Sequence, residues 1–160
     1  MGLAEAWQYG YTDFGEGRGR TPQPVLRAVV QASTPGTASV WSALIDTGAP
    51  ITLVRSEVLQ SGGDPVETGE TMVLRLGGSS SEVALYELTL EVRAPSSSQG
   101  APPISWRSVV ALLDPWPHQG TAVMFGQSGF LEACAVTFGP DGFVVEPASV
   151  FRERFPSPSE

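Results

Sequence analysis

The chain contains no lysine and no asparagine, one cysteine and one histidine, and its net charge is −8. A lone cysteine cannot form an intramolecular disulfide, and one Cys and one His without ligand spacing argue against a structural metal site. A negatively charged surface repels phosphate backbones, so we predict that the chain does not bind nucleic acid. The composition therefore predicts a protein without a metal, a cofactor or a nucleic-acid partner.

Long apolar runs are also absent. Residues 109–113 form one of the longest, far below the roughly 18 apolar residues that a membrane-spanning helix needs. The N-terminal residues 1–5 lack the basic start and apolar core of a secretory signal. We therefore predict a cytoplasmic protein that does not associate with a membrane. Apolar residues still make up 41% of the 160 residues, which is enough for the packed core of one domain.

The apolar segments that are present are short, rich in Val, Leu, Thr and aromatic residues, and separated by Gly, Pro or Ser. This pattern predicts an all-β fold, mainly β with one or two short helices. Helical signals are confined to residues 56–60 and to one turn within residues 129–133. The predicted strands are residues 25–32, 40–45, 51–54, 70–76, 82–92, 105–113, 123–125, 135–138 and 143–146.

The chain divides into three parts on composition. Residues 1–21 form an N-terminal arm, either mobile or an edge strand; residues 22–150 form the folded domain; and residues 151–160 form a frayed tail. Within the domain, the low-complexity residues 93–103 predict an exposed loop.

The segment with the clearest chemical content is the apolar run 43–45, which leads directly into Asp46-Thr47-Gly48-Ala49. A carboxylate at the end of an apolar strand is costly unless another group satisfies or uses it. Thr47 supplies a hydroxyl, and Gly48 allows a sharp turn and the close approach of a second backbone. The pattern predicts a functional loop centred on Asp46.

Two later segments stand in the order found in one enzyme family. A hairpin follows with Gly77, Gly78 and Ser79 at its tip. The segment 123–131 then begins with a short apolar strand, 123–125, which Gly126 stops before a predicted helix. Together with the Asp46 loop, these segments resemble retropepsin-like aspartic proteases over residues 22–147. The hairpin would then be the flap over the substrate, and Phe125-Gly126 would support the active-site loop.

The resemblance implies an acid-protease barrel with one lobe per chain. One such lobe supplies one aspartate, whereas the chemistry needs two carboxylates that share a proton, so we predict a homodimer with two copies of Asp46 on its axis. It also implies that the Thr47 hydroxyl reaches the partner chain. Because Ala49 offers no hydroxyl to the carboxylates, we expect activity at mildly rather than strongly acidic pH.

The predicted function is therefore an aspartic endopeptidase that acts on peptides or proteins. The alternative is a catalytically silent homodimeric module of the same fold that binds peptides or only dimerises. Four departures from the family pattern are Pro50, Phe125, the absence of an aromatic residue at the flap tip and the loop of residues 93–103, which resembles an insertion. Asp114 also ends an apolar strand and is a competing acid, whereas Ser128 lacks the flanking pattern of a nucleophile elbow.

Overall fold

The computed structural model describes residues 6–14, 21–32, 37–61, 63–95 and 100–156. These residues form ten strands, two helices and a kinked helical turn at Gln127–Leu131. No helix among them is long and apolar enough to cross a membrane. The strands are β1 (Trp7–Gly10), β2 (Val25–Gln31), β3 (Ala38–Ile45), β4 (Leu53–Val54), β5 (Val66–Leu76), β6 (Ser79–Val92), β7 (Ile104–Leu112), β8 (Val123–Phe125), β9 (Cys134–Phe138) and β10 (Gly142–Pro147); the helices are α1 (Ser56–Ser61) and α2 (Ala148–Arg154).

Six strands close into a barrel, and the prediction of a mainly β fold is confirmed. Their order is β2-β3-β8-β4-β7-β6, and β6 returns to pair with β2. Strand β8 runs parallel to β3 and antiparallel to β4. Because parallel strands end at the same edge of a sheet, the residues that follow β3 and β8, Asp46 and Gly126, are brought together.

Strand β6 changes the face that it buries halfway along its length. Val83 and Leu85 are buried on one face, whereas Leu88, Leu90 and Val92 are buried on the other. Successive side chains of a strand point to opposite faces. The odd-numbered residues 83 and 85 therefore pack on one side of β6, and the even-numbered residues 88, 90 and 92 pack on the other side. The first half of β6 extends with β5 as a hairpin, and the second half belongs to the barrel wall.

Two buried clusters correspond to these two faces. The barrel core contains large side chains from several strands, with the Phe125 and Phe130 rings stacked at a centroid distance of 4.3 Å and Trp106 beside them. The second cluster, here called the hairpin-base cluster, lies where the β5–β6 hairpin meets the barrel. Its buried members are Leu44, Ala49, Ile51, Leu53, Leu74, Val83, Leu85, Ala111, Leu113 and Met124.

A separate three-stranded sheet has the order β1-β10-β9. The described part of the N-terminal arm therefore forms an edge strand, with Trp7 buried and Tyr9 stacked on Phe143. Helix α2 follows β10 directly, and Arg154 forms an ion pair with the buried carboxylate of Glu146. Each end of the described chain is thus attached to the domain.

The structure differs from the sequence-based expectations at several element boundaries; for example, β4 covers only Leu53–Val54 and β5 begins at Val66. The flap strands are longer, because residues 79–81 belong to β6 and the tip is only the two-residue turn Gly77-Gly78. The first four residues of the predicted frayed tail lie in α2, and residues 157–160 lie outside the described chain. The expected helical turn begins earlier, at Gln127, and is kinked at Ser128 and Gly129.

Candidate active site

Asp46 begins a tight loop immediately after the buried end of β3. Its backbone N–H donates to the carbonyl of Phe125 at 2.9 Å, and its own carbonyl accepts from the Ala49 N–H at 3.1 Å. The first bond ties the loop to the end of β8, and the second closes the turn. The loop is therefore positioned by two parallel strands whose residues Ile45 and Phe125 are register partners in the barrel wall.

The Asp46 carboxylate is oriented by the same loop. Its Oδ1 accepts a hydrogen bond from the Gly48 N–H at 2.9 Å, and the Asp46 side chain is partly exposed. A Cβ at Gly48 would lie 3.2 Å from this oxygen, which is tighter than most Cβ contacts. Glycine at this position therefore avoids a steric conflict with the carboxylate. Among the described residues no other hydrogen bond to this carboxylate is found.

Thr47 and Gly48 form the exposed apex of the loop, whereas Ala49 is buried in the hairpin-base cluster. The Gln127 side chain holds the apex from the other side, because its Nε2 donates to the Thr47 carbonyl at 2.8 Å. The backbone of the apex is thus hydrogen-bonded to the domain while Thr47 itself is exposed. The apex and the partly exposed carboxylate beside it are therefore accessible to a second molecule.

Gly126 allows the segment after β8 to cross the Asp46 loop at close range. A Cβ at this position would lie 2.3 Å from the Ile51 carbonyl oxygen and 2.9 Å from that of Ala49. Beyond the crossing, the Gln127 N–H donates to Ala49 and the Ser128 N–H donates to Pro50, at 2.9 and 3.0 Å. The predicted supporting segment, Phe125 and Gly126, therefore does contact the predicted loop.

Thr52 is a structural residue of this site that sequence reasoning missed. Its fully buried hydroxyl accepts from the Gly126 N–H at 3.3 Å and donates to the Ser128 carbonyl at 3.2 Å. Its backbone N–H also donates to that carbonyl, at 3.0 Å. The sequence signal for this role is the hydroxyl residue within the otherwise apolar segment 51–54. A hydroxyl that is buried with such a segment requires a hydrogen-bond partner.

The β5–β6 hairpin carries the predicted flap residues. Gly77 and Gly78 have φ angles of +55° and +84°, as a tight two-residue hairpin turn requires, and Ser79 pairs with Leu76 just behind the turn. The tip is exposed, whereas Leu74 and Val83 below it are buried in the cluster that contains Ala49. The hairpin and the Asp46 loop are therefore connected by one apolar cluster.

A cavity of about 390 Å³ separates the hairpin from the loop that joins β7 to β8. Leu76, Ser79 and Val83 line it from the hairpin, and Asp114 and Pro117 line it from the loop. Its wall residues Leu74, Val83 and Leu113 also belong to the hairpin-base cluster. This cavity is an open groove next to the apolar cluster on which Ala49 packs.

The other candidate residues lie outside the Asp46 loop, although Asp114 is one of the residues that line the cavity beside the hairpin. Asp114 is exposed on the β7–β8 loop, and His118 on the same loop has its Nδ1 3.0 Å from the Thr121 hydroxyl. Burial raises the pKa of the Cys134 thiol to about 12, so the thiol is neutral and acts as a small apolar residue, as expected from the sequence. No group of metal-ligating side chains is found among the described residues.

No protein-family model matches this chain, and no curated protein matches it significantly.

Proposed function

We propose that this chain is one subunit of a homodimeric aspartic endopeptidase of the retropepsin-like type. The observation that carries the proposal is the partly exposed Asp46 carboxylate, oriented by the Gly48 N–H on a loop that two parallel strands hold in place. The close crossing at Gly126 and the buried Thr52 hydroxyl beneath the loop help to hold its backbone in place. These features support the assignment of the loop as catalytic.

The proposed chemistry uses two copies of Asp46. Two carboxylates about 3 Å apart cannot both be ionised, so they share one proton. The ionised carboxylate takes a proton from a bound water as that water attacks the peptide carbonyl, and the protonated carboxyl donates to the carbonyl oxygen. The resulting tetrahedral diol then breaks its C–N bond: the leaving nitrogen takes the proton that the first carboxylate had accepted, and one diol hydroxyl gives its proton to the other carboxylate. This step releases an amine and a carboxylic acid and leaves one proton on the pair.

A two-fold dimer supplies the second carboxylate, because an isologous interface places the same residue on both sides of its axis. The exposed apex at Thr47 and Gly48 is the part of this chain that would approach its copy. Its backbone is already bonded to Gln127 and its neighbouring turn to Phe125, so little ordering is required on association. The Thr47 hydroxyl would then reach the partner chain.

The hairpin and the cavity beside it would receive the peptide. A peptide bound in an extended form can hydrogen-bond to neighbouring backbone while alternate side chains enter pockets. The cavity of about 390 Å³ has mostly apolar walls, including Leu76, Val83 and Pro117. We therefore expect cleavage next to apolar side chains, with the exposed Gly77-Gly78 turn moving to admit the substrate.

One observation favours the alternative of a silent peptide-binding module. Strand β5 is the edge of the seven-stranded sheet, and Val66 and Val73 on it are 43% and 63% exposed. An unpaired edge with exposed β-branched residues can accept an added strand from another chain. Binding of this kind would not require the Asp46 carboxylate.

The Asp46→Asn variant separates the two functions, because it removes the ionisable oxygen with little change in shape. Asp141→Asn, at an exposed turn between β9 and β10, is the matched control. We expect Asp46→Asn to abolish cleavage of a mixed peptide library while leaving the sedimentation coefficient and the thermal unfolding unchanged. We also expect a statine-containing peptide to inhibit the unmodified protein, since transition-state mimics bind more tightly than substrates.

Cleavage by Asp46→Asn at the rate of Asp141→Asn would contradict the proposed chemistry. If neither the unmodified chain nor any variant cuts a peptide, while peptides bind equally well to all of them, the silent module is the correct description.

A further inference from the structure

The loop of residues 113–122 between β7 and β8, here called the cleft loop, separates two cavities. One is the cavity beside the hairpin, and the other, of about 370 Å³, lies between the cleft loop and residues of the N-terminal segment. Pro117 lines both cavities. A displacement of this loop would therefore widen one cavity as it narrows the other.

Phe14 is a residue of the N-terminal segment that contacts the cleft loop at two points. Its ring lies against Gly120, where a Cβ would be only 2.5 Å from the Phe14 Cε1 atom, and Gly120 has a φ angle of +86°. The ring also meets His118 edge-on, with centroids 5.4 Å apart and an interplanar angle of 77°. The His118 ring is in turn 3.0 Å from the Thr121 hydroxyl, within the same loop.

The other side of Phe14 is anchored to the barrel. Thr12 and Gln23 exchange two backbone hydrogen bonds of 2.8 Å, and Gln23 lies two residues before the start of β2. Further back, β1 pairs with β10 along its whole length. Backbone pairing therefore anchors the chain as far as Thr12, two residues before Phe14, and the Phe14 ring lies against the cleft loop.

We propose that Phe14 is a positioning residue: by packing on Gly120 and His118 it fixes the cleft loop and thereby sets the width of the cavity that receives the peptide. This inference rests on the proposed function for its consequence on cleavage. The Asp46 loop has separate supports in Phe125 and Thr52. Removal of the Phe14 ring should consequently weaken peptide binding and leave the chemical step unchanged.

The test compares Phe14→Ala with Phe14→Tyr, which keeps the ring, and with Phe155→Ala, which removes an exposed aromatic ring at the end of α2. The substrate is the fluorogenic peptide that the unmodified protein cuts fastest in a mixed library. We expect Phe14→Ala to raise KM about threefold to tenfold with kcat changed less than about twofold. Phe14→Tyr should restore KM, and Phe155→Ala should leave it unchanged.

Amide hydrogen exchange of residues 113–122 measures the same contact without any substrate. We expect faster exchange of this segment in Phe14→Ala and in Gly120→Ala, whose new methyl group would displace the ring. Unchanged exchange and unchanged KM in Phe14→Ala would overturn the proposal, as would a fall in kcat at constant KM.

The two failures are distinguishable. If the unmodified protein cuts no peptide, the proposed function fails, and with it the effect of Phe14 on KM. The exchange experiment then still decides whether Phe14 fixes the loop, because faster exchange of residues 113–122 supports that contact and unchanged exchange refutes it.

Discussion

The buried hydroxyl of Thr52 offers the sharpest test of how the Asp46 loop is supported. Replacement by valine keeps the size and the branching of the side chain but removes the hydroxyl. The Ser128 carbonyl keeps a hydrogen bond from the Thr52 backbone N–H at 3.0 Å, so it remains satisfied in the variant. The Gly126 N–H, in contrast, loses its bond of 3.3 Å to the hydroxyl and stays buried among the loop residues.

The expected destabilisation follows from that single unsatisfied donor. Leaving a buried N–H without a partner costs about 1–3 kcal/mol, and because the lost bond is long we expect the lower half of that range, about 1–2 kcal/mol. For a domain of this size, each 1 kcal/mol lowers Tm by about 2–4 °C. We therefore expect Tm to fall by about 2–8 °C.

Urea unfolding followed by circular dichroism measures the change in the free energy of unfolding, and a thermal melt measures the change in Tm. The protein concentration is held constant because the stability of the proposed dimer would depend on it. The matched control is Thr137→Val on β9, where the side chain is exposed. We expect the control to change the free energy of unfolding by less than about 0.5 kcal/mol. A Thr52→Val variant as stable as this control would refute the reasoning.

Two further predictions concern the close crossing and the buried thiol. Gly126→Ala places a methyl group 2.3 Å from the Ile51 carbonyl oxygen, so the crossing must open; we expect a loss of at least about 2 kcal/mol in urea unfolding, whereas Gly10→Ala, which has open space, should change stability little. Cys134 is neutral in the folded protein, with a pKa raised to about 12 by burial, but ionises above its ordinary value of 9.0 once unfolded. Its stabilising effect is thus complete below pH 9 and is lost as pH rises from 9 towards 12, with a slope of up to about 1.4 kcal/mol per pH unit. Cys134→Ala should remove this component of the pH dependence, and a thiol reagent at neutral pH should label the unmodified protein only after unfolding.

The strands that build the site are readable from the sequence because their boundaries carry strong local signals. Asp46 and Gly126 each follow a short apolar run, and each is a residue type that ends a buried strand. In the structure, β3 ends at Ile45 and β8 ends at Phe125. The pairing of these two strands, in contrast, joins residues about 80 positions apart, so local apolar patterns do not predict it. The resemblance to retropepsin-like proteases is what suggests that the two segments meet.

The features that sequence reasoning missed depend on contacts between distant residues. Thr52 looks like an ordinary strand residue until its partners Gly126 and Ser128 are in place. The kinked turn at 127–131 replaces a regular helix because Gly129 has a φ angle of +90° and lies so near Ser108 that a Cβ would be 2.2 Å from its hydroxyl oxygen. Neither constraint is encoded within a single segment.

The number of Asp46 carboxylates needed for one active site tests the central proposal most directly. Unmodified chains and Asp46→Asn chains are unfolded together, refolded in different proportions at a constant total concentration, and assayed for peptide cleavage. If both carboxylates of a dimer are required, activity follows the square of the unmodified fraction, so an equal mixture retains about one quarter of the full rate. Mixing with Asp141→Asn chains instead should leave the rate unchanged. A linear dependence, with about half of the rate in an equal mixture, would show that each chain acts alone and would contradict the account.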